Sequence, residues 1–91
     1  MAEKFIIAIV GAANSENVMN ALVANHYAVT RIASTGGFLR RGGQTTLLIG
    51  VDESAVNSAL DLIRASCQNE PPADEHRATL FVLDTVHFEQ I

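Results

Sequence analysis

The sequence predicts an α+β fold in which two helices lie against a four-stranded antiparallel sheet. Three observations lead to this prediction. Short apolar runs rich in β-branched residues, too short for helices, alternate with two stretches of helical periodicity. Glycine-rich or proline-bearing polar stretches separate them. The resulting order is β-α-β-β-α-β.

The first strand and the first helix are predicted between residues 4 and 26. Lys4–Val10 is a short apolar run that is typical of a buried strand. Either Asn14 or Ser15 is expected to cap the helix that follows, which should end near Asn25-His26. The residues that share one face of this helix are Val18, Leu22 and Asn25, with Ala21 beside them.

Two strands and a glycine-rich connection are predicted next. Alternating residues predict a strand from Tyr27 to about Ser34, and Thr45–Val51 predicts another. Gly50 interrupts the latter strand and indicates a bulge or a close approach of another group. Four glycines lie between Thr35 and Gln44, where they allow another group to come close to the backbone.

The second helix has the clearest periodicity in the chain. Asp52-Glu53-Ser54 provides an N-cap and acidic residues for its first turn. Its apolar face comprises Val56, Ala59, Leu60, Ile63 and Cys67. Asn69–Glu75 is a polar, proline-bearing linker, and a last strand is predicted from Arg77 to about Thr85. The complete order is that of a ferredoxin-like split βαβ fold.

Composition favours a single domain over residues 1–91. The 48% hydrophobic content and the mean hydropathy of +0.21 exclude a disordered chain. The apolar run Phe5–Val10 is far too short to span a membrane, and the lone Cys67 cannot form an internal disulfide. We therefore expect a cytoplasmic protein without a membrane partner. Because a domain of this size buries a modest share of its surface, a subunit partner would add stability.

The charges are unevenly distributed. No acidic residue lies between Asn17 and Val51, whereas Arg31, Arg40 and Arg41 all fall there, in a chain of net charge −4. An acidic chain argues against binding to a nucleic-acid polymer. A basic island suits a small anion such as a phosphate. On charge alone, three arginines that merely solvate a loop are the simpler interpretation.

Residues for catalysis or metal binding are sparse. Asp84 and His87 form a conceivable acid/base pair, but no nucleophile accompanies them. The three histidines lack the spacing of a metal motif. Cys67 falls at a core position of the second helix, which favours a packing role over a reactive thiol. We expect neither an enzyme nor a metal or other cofactor.

The stretch from Thr30 to Thr46 combines the groups that a nucleotide pocket needs. Its glycines expose N–H groups that can bind an anion, Arg40 and Arg41 add positive charge, and Phe38 offers a stacking surface. The hydroxyl and amide side chains of the stretch are Thr30, Ser34, Thr35, Gln44, Thr45 and Thr46. The alternative is a hairpin whose Phe38 packs on a neighbouring subunit.

Four segments closely resemble the PII-like cyclic di-AMP receptor family: Phe5–Val10, Thr30–Arg40, Thr45–Val51 and Ala78–Leu83. The segment from Ala33 to Arg40, ASTGGFLR, is the most specific of them. The resemblance implies a ferredoxin-like homotrimer that is not an enzyme. It also implies that cyclic di-AMP binds at the subunit clefts and that its presence is relayed to a protein partner, whose identity the sequence does not give.

The resemblance also implies a set of ligand contacts. Thr30, Gly37, Phe38 and Leu39 match positions that touch the ligand, with Phe38 near the adenine, and Gly50 matches a glycine that allows close approach. With the polar and basic neighbours added, the predicted ligand-binding residues are Thr30, Gly36, Gly37, Phe38, Leu39, Arg40, Gln44, Thr45 and Gly50.

Three departures from the family pattern leave alternatives open. Ala28 stands where the family usually has an arginine. Gly42–Thr46 is one residue longer than the family's equivalent, with Gln44 in place of an asparagine that reads the base, and the segment Gln68–His76 is much shorter. One alternative is therefore a PII-like trimer that has lost the nucleotide and serves as a protein-interaction scaffold. Another is an enzyme or metal-binding module, which only Asp84 and His87 favour.

Overall fold

The structure, a computed structural model, describes residues 3–35, 43–70, 76–87, 89 and 91. Its strands are β1 (Glu3–Gly11), β2 (Ala28–Thr35), β3 (Gln44–Asp52) and β4 (Ala78–Asp84). Its helices are α1 (Ala12–Ala24) and α2 (Val56–Ser66), the latter preceded by a short 3₁₀ turn (Glu53–Ala55). Among the described residues, neither helix is long and apolar enough to cross a membrane.

The four strands form one antiparallel sheet in the order β2-β3-β1-β4. The long central strands β1 and β3 lie side by side, while β2 and β4 form the two edges. This order confirms the predicted ferredoxin-like fold, and every predicted strand agrees with the observed one to within one or two residues.

Both helices pack on the same face of the sheet, and the core lies between the two layers. Successive strand residues point to opposite faces, so every second residue of β1 and β3 reaches this core. The buried apolar side chains are Ile6, Ala8, Val10, Leu47, Ile49 and Val51 from the strands and Val18, Leu22, Ala59 and Ile63 from the helices. The predicted apolar faces of both helices are thus confirmed, except at Asn25, which is exposed.

The opposite face of the sheet, hereafter the open face, carries no helix in the described part of the chain. It is nevertheless apolar along its middle. The large apolar residues on this face are Phe5, Ile7 and Ile9 of β1, Leu48 of β3, and Phe81 and Leu83 of β4. Phe81 and Leu83 are 48% and 47% exposed, which is high for such side chains in a monomer.

The predicted cap of α1 is wrong. The helix begins at Ala12, with Gly11 as N-cap and no side-chain cap, because β1 passes directly into the helix without a connecting loop. Asn14 consequently lies inside the helix, and its side chain is hydrogen-bonded to Asn69 instead. The predicted cap before α2 is confirmed, since the Asp52 carboxylate accepts a hydrogen bond from the Ser54 N–H at 3.1 Å.

Of the two interpretations of Gly50, the bulge is wrong, and the close approach of another group stays a prediction. Gly50 pairs regularly with Phe5, and the irregularity lies in β2 between Arg31 and Ala33. A Cβ atom at Gly50 would lie 3.8 Å from Phe5 Cε1, an ordinary contact. The fold of one chain therefore does not require glycine at this position.

Cys67 follows the end of α2 and is half-buried against the core. Burial raises the pKa of its thiol, and the nearby Arg77 offsets part of that rise. Both observations fit the packing role that the sequence predicts, because a reactive cysteine needs a lowered pKa.

Candidate functional site

Three of the predicted ligand-binding residues share the open face. Leu48 and Gly50 belong to this face, and Thr30 is paired with Leu48 across the β2–β3 ladder. Gln44 follows the same alternation along β3. The sheet therefore presents Thr30, Gln44 and Gly50 to the side that no described helix covers.

These three residues do not converge on one point. Gly50 lies six positions after Gln44, which corresponds to about 20 Å along a strand. Thr30 lies nearer to Gly50, because its partner Leu48 is two residues from that glycine. The structure thus divides the set into Gln44 at the start of β3 and the neighbours Thr30 and Gly50 towards the other end of that strand.

Thr45 is placed on the other face. It is paired with Val10, it is only 8% exposed, and it lies under the helices. The strand alternation therefore separates Thr45 from its neighbour Gln44, and a ligand on the open face does not reach its side chain.

The predicted contacts from Gly36 to Arg40 lie outside the described residues, but the chain on either side of them is described. Thr35 and Gln44 are paired in register at the end of the β2–β3 ladder. Gly43, which directly precedes Gln44, is buried and adopts a φ of 68°. Because a Cβ atom disfavours this left-handed backbone, glycine is the favoured residue at position 43.

Arg31 does not belong to the candidate site. It is paired with Leu47 and thus points to the helix side, where its guanidinium forms an ion pair with Glu16 of α1 at 3.1 Å. Of the three arginines in the predicted basic island, this one has its charge compensated by a carboxylate. The positive charge of the island therefore depends on Arg40 and Arg41, which lie outside the described residues.

Ala28 lies on the open face directly beside Gly50. Its side chain is exposed and carries no charge. The structure thus leaves Thr30 and Gly50 without a neighbouring cation at position 28, where the resemblance implies an arginine.

The conceivable acid/base pair is not formed. Asp84 forms an ion pair with Lys4, and this contact, helped by Glu53, raises the pKa of the lysine. His87 instead contacts Glu89 through Nε2 at 2.9 Å. In the described ranges, no group of His, Cys, Asp and Glu side chains is arranged to hold a metal ion.

Asn14 of α1 has a structural role that the sequence did not predict. Asn14 is 1% exposed, and its amide is hydrogen-bonded in both directions to the main chain of Asn69. A signal existed in the sequence, because Asn14 lies four residues before Val18 and so falls on the buried face of α1. Its partner 55 residues away could not be read from local sequence.

Comparison with known proteins gives a consistent result. Residues 3–72 match the model of a family described as "Cyclic-di-AMP receptor". The match includes all of the predicted ligand-binding residues and ends before β4.

Two solved structures are similar to the whole fold. One is a functionally unknown protein from Pediococcus pentosaceus ATCC 25745, which is 30% identical, with a TM-score of 0.81 over 100% of this chain and 99% of that one. The other is Arabidopsis thaliana PII bound to citrate, which is 20% identical, with a TM-score of 0.64 over 91% of this chain and 74% of that one. At 20% identity, the similarity to the Arabidopsis protein shows that the two chains share a fold.

Proposed function

The chain belongs to the cyclic-di-AMP receptor family, and from this premise we propose that it is a PII-like signalling protein whose ligand is cyclic di-AMP. The observation that supports the proposal most is the position of Thr30 and Gly50. Both lie on the open face of the sheet, where a ligand can reach them. A threonine hydroxyl both donates and accepts hydrogen bonds, and the glycine lets a flat base approach the strand.

The proposal includes a homotrimer with the nucleotide at the subunit clefts. An apolar sheet face of this kind needs a cover, and a second and third copy of the chain would supply it. In such an assembly the central residues Ile7 and Leu48 would be buried between copies. Thr30 lies on the edge strand β2, at the border of this apolar area, so its hydroxyl would line the cleft.

The chemistry of cyclic di-AMP fits the residues available. Its two adenines require stacking surfaces and hydrogen-bonding groups, which Phe38 and Gln44 would provide. Its two phosphodiesters carry negative charge, which Arg40 would neutralise together with glycine N–H groups. We therefore propose a binding protein without catalytic or cofactor chemistry, acting in the cytoplasm on a protein partner.

The direct test is a thermal-shift comparison of cyclic di-AMP, cyclic di-GMP, AMP and ATP. A ligand present at 100 times its Kd stabilises a protein by about 2.7 kcal/mol, so the adenine dinucleotide should give the largest rise in Tm. The Thr30→Val variant keeps the shape but loses the hydroxyl, and we expect roughly a 2- to 13-fold weaker affinity for cyclic di-AMP.

Thr79→Val is the matched control, because Thr79 is an exposed threonine on the same open face, on the opposite edge strand β4. It should leave the affinity unchanged. If no adenine nucleotide shifts the Tm of the wild-type protein, the nucleotide proposal fails.

A second candidate function, a trimeric interaction scaffold without nucleotide, is favoured by one observation, the uncharged Ala28 beside Gly50. The variant Ala28→Arg distinguishes the two. If the open face holds a nucleotide, an added guanidinium should tighten the binding of cyclic di-AMP, since charge-assisted hydrogen bonds are strong. If the wild-type protein and this variant both fail to bind nucleotides yet assemble normally, the scaffold is the better account.

A further inference from the structure

The start of α1 is hydrogen-bonded to three separate stretches of the chain. The Gly11 N–H donates to the Arg77 carbonyl at 3.1 Å, and the Ala12 N–H donates to the Gly43 carbonyl at 3.2 Å. The third connection is the side chain of Asn14, which reaches Asn69. A helix leaves the N–H groups of its first turn without partners inside the helix. In α1, two of these groups donate hydrogen bonds to distant segments of the chain.

Asn14 makes the most specific of these connections. Its Nδ2 donates to the Asn69 carbonyl at 2.9 Å, and its Oδ1 accepts from the Asn69 N–H, also at 2.9 Å. The Asn69 side chain returns a hydrogen bond to the Ala13 carbonyl at 2.8 Å. A buried amide is stable when its groups are paired, so this arrangement fixes the position of Asn69 relative to α1.

The three stretches border the two connections that leave this end of the molecule. Gly43 directly follows the glycine-rich residues 36–42. Asn69 and Glu70 precede residues 71–75, and Arg77 lies just beyond them. An ion pair between Arg77 and Glu70 joins the two sides of the latter connection. The same short stretch, Gly11–Asn14, therefore holds the borders of both connections.

We propose that Asn14 is a positioning residue that couples Gly43, at the border of the glycine-rich segment, to Asn69 and Arg77. The inference rests on the proposed function for its consequence, which is that nucleotide binding beside Gln44 is transmitted to Asn69 and Arg77. Hydrogen bonds of this junction are either made or broken, and such local opening links the sites that share it. By thermodynamic linkage, loosening Asn69 then weakens nucleotide binding.

The experiment is amide hydrogen exchange on the wild-type protein, Asn14→Ala and Asn69→Ala. Asn69→Ala removes an exposed side chain and its hydrogen bond to the Ala13 carbonyl. We therefore expect this variant to fold even if Asn14→Ala does not. Without nucleotide, both variants should exchange the amides of Gly11 and Ala12 faster than the wild type, Asn14→Ala more so. Asn25→Ala is the matched control, because Asn25 lies at the exposed end of α1 and its side chain donates a hydrogen bond to the Ala21 carbonyl of the same helix.

The same measurement is repeated with saturating cyclic di-AMP. In the wild type the nucleotide should slow exchange at Asn69 and at Gly11, whose amide reports on the bond to Arg77. In Asn14→Ala this slowing should largely disappear, and the nucleotide should bind about fivefold more weakly or worse.

Two results would overturn the inference. One is unchanged exchange at Gly11 and Ala12 in both folded variants without nucleotide. The other is a variant that retains both the wild-type affinity and the nucleotide-dependent slowing. A wild-type protein that shows no response to any nucleotide would instead contradict the proposed function, and the nucleotide-free comparison would still decide whether Asn14 couples the two borders.

Discussion

His26 ends the first helix in a left-handed backbone conformation, with a φ of 67°. The Tyr27 N–H donates to the Leu22 carbonyl and the His26 N–H to the Val23 carbonyl, both at 3.0 Å, which is the Schellman arrangement. This arrangement satisfies two carbonyls at the helix end. It places a residue with a Cβ atom where glycine is strongly favoured.

We expect His26→Gly to stabilise the protein. Removing the left-handed strain gains about 1–2 kcal/mol, and the added freedom of the unfolded chain takes back roughly 0.5–1 kcal/mol. Urea denaturation should therefore show a net gain of up to about 1.5 kcal/mol. Asn25→Gly is the control, because its φ of −99° gives glycine no advantage. A loss of stability in His26→Gly would contradict this account of the helix end.

The carboxylate of Asp52 provides a pH-dependent contribution to stability. Hydrogen bonds from the hydroxyl and the N–H of Ser54 hold the pKa of Asp52 below its usual value of 3.8. A lowered pKa in the folded state means that the stabilisation is complete above 3.8 and is lost as the pH falls through the folded pKa. Asp52→Ala should accordingly lower the Tm at pH 7.

The Tm difference between the wild type and Asp52→Ala should shrink as the pH is lowered below 3.8. Ser58→Ala, at an exposed position of α2, is the control and should shift the Tm equally at every pH. A constant difference for Asp52→Ala over the same range would show that the carboxylate charge is not involved.

The two predicted caps show what local sequence can and cannot reveal about single residues. Asp52 was predictable because its partner, Ser54, lies two residues away. Asn14 has the same capping chemistry, but its partner is Asn69, and the helix had already begun at Ala12. Tertiary contacts of this kind override capping preferences, and one sequence does not display them.

At the scale of whole elements, Ile63 is the large side chain that α2 buries most completely in the core. Ile63 is 1% exposed and belongs to the core between the helices and the sheet. Ile63→Ala should cost about 2–5 kcal/mol of unfolding free energy, from lost burial and the cavity left behind. Leu60→Ala, at a half-buried position of the same helix, should cost less. Equal losses in chemical denaturation would contradict the assigned orientation of α2.

The elements were predicted better than their surroundings. Periodicity located both helices and all four strands, because a 3.6-residue or two-residue repeat is a property of local sequence. The bulge in β2 was missed, since nothing in Arg31–Ala33 distinguishes it from a regular strand. The sequence also predicts that Phe5–Val10 is a buried strand, whereas the described helices cover only the side of Ile6, Ala8 and Val10.

At the scale of the whole molecule, β1 is apolar on both of its sides, although the described helices cover only one of them. A strand that is apolar on both sides is typical of a sheet covered on both faces. One chain covers the face that contains Ile6, and the face with Phe5 and Ile7 remains open. The predicted site residues Thr30 and Gly50 lie on this same face, so assembly and ligand binding are expected to depend on each other.

We expect Ile7→Lys to dissociate the proposed trimer, because a charged side chain would have to be buried among apolar ones in the assembly. Light scattering should report a monomer that retains its circular dichroism spectrum. Val23→Lys is the matched control, since Val23 is an apolar residue 57% exposed on α1, away from the open face. A trimer that persists in Ile7→Lys would place the subunit contact elsewhere.

The central claim is that this chain binds cyclic di-AMP in clefts between its copies, and titration calorimetry tests it most directly. The wild-type protein should bind cyclic di-AMP saturably, with one nucleotide for each chain. The folded, monomeric Ile7→Lys variant should bind the nucleotide far more weakly, because half of each cleft is missing. Absence of saturable binding to the folded wild-type protein, or undiminished binding to the monomer, would contradict the account.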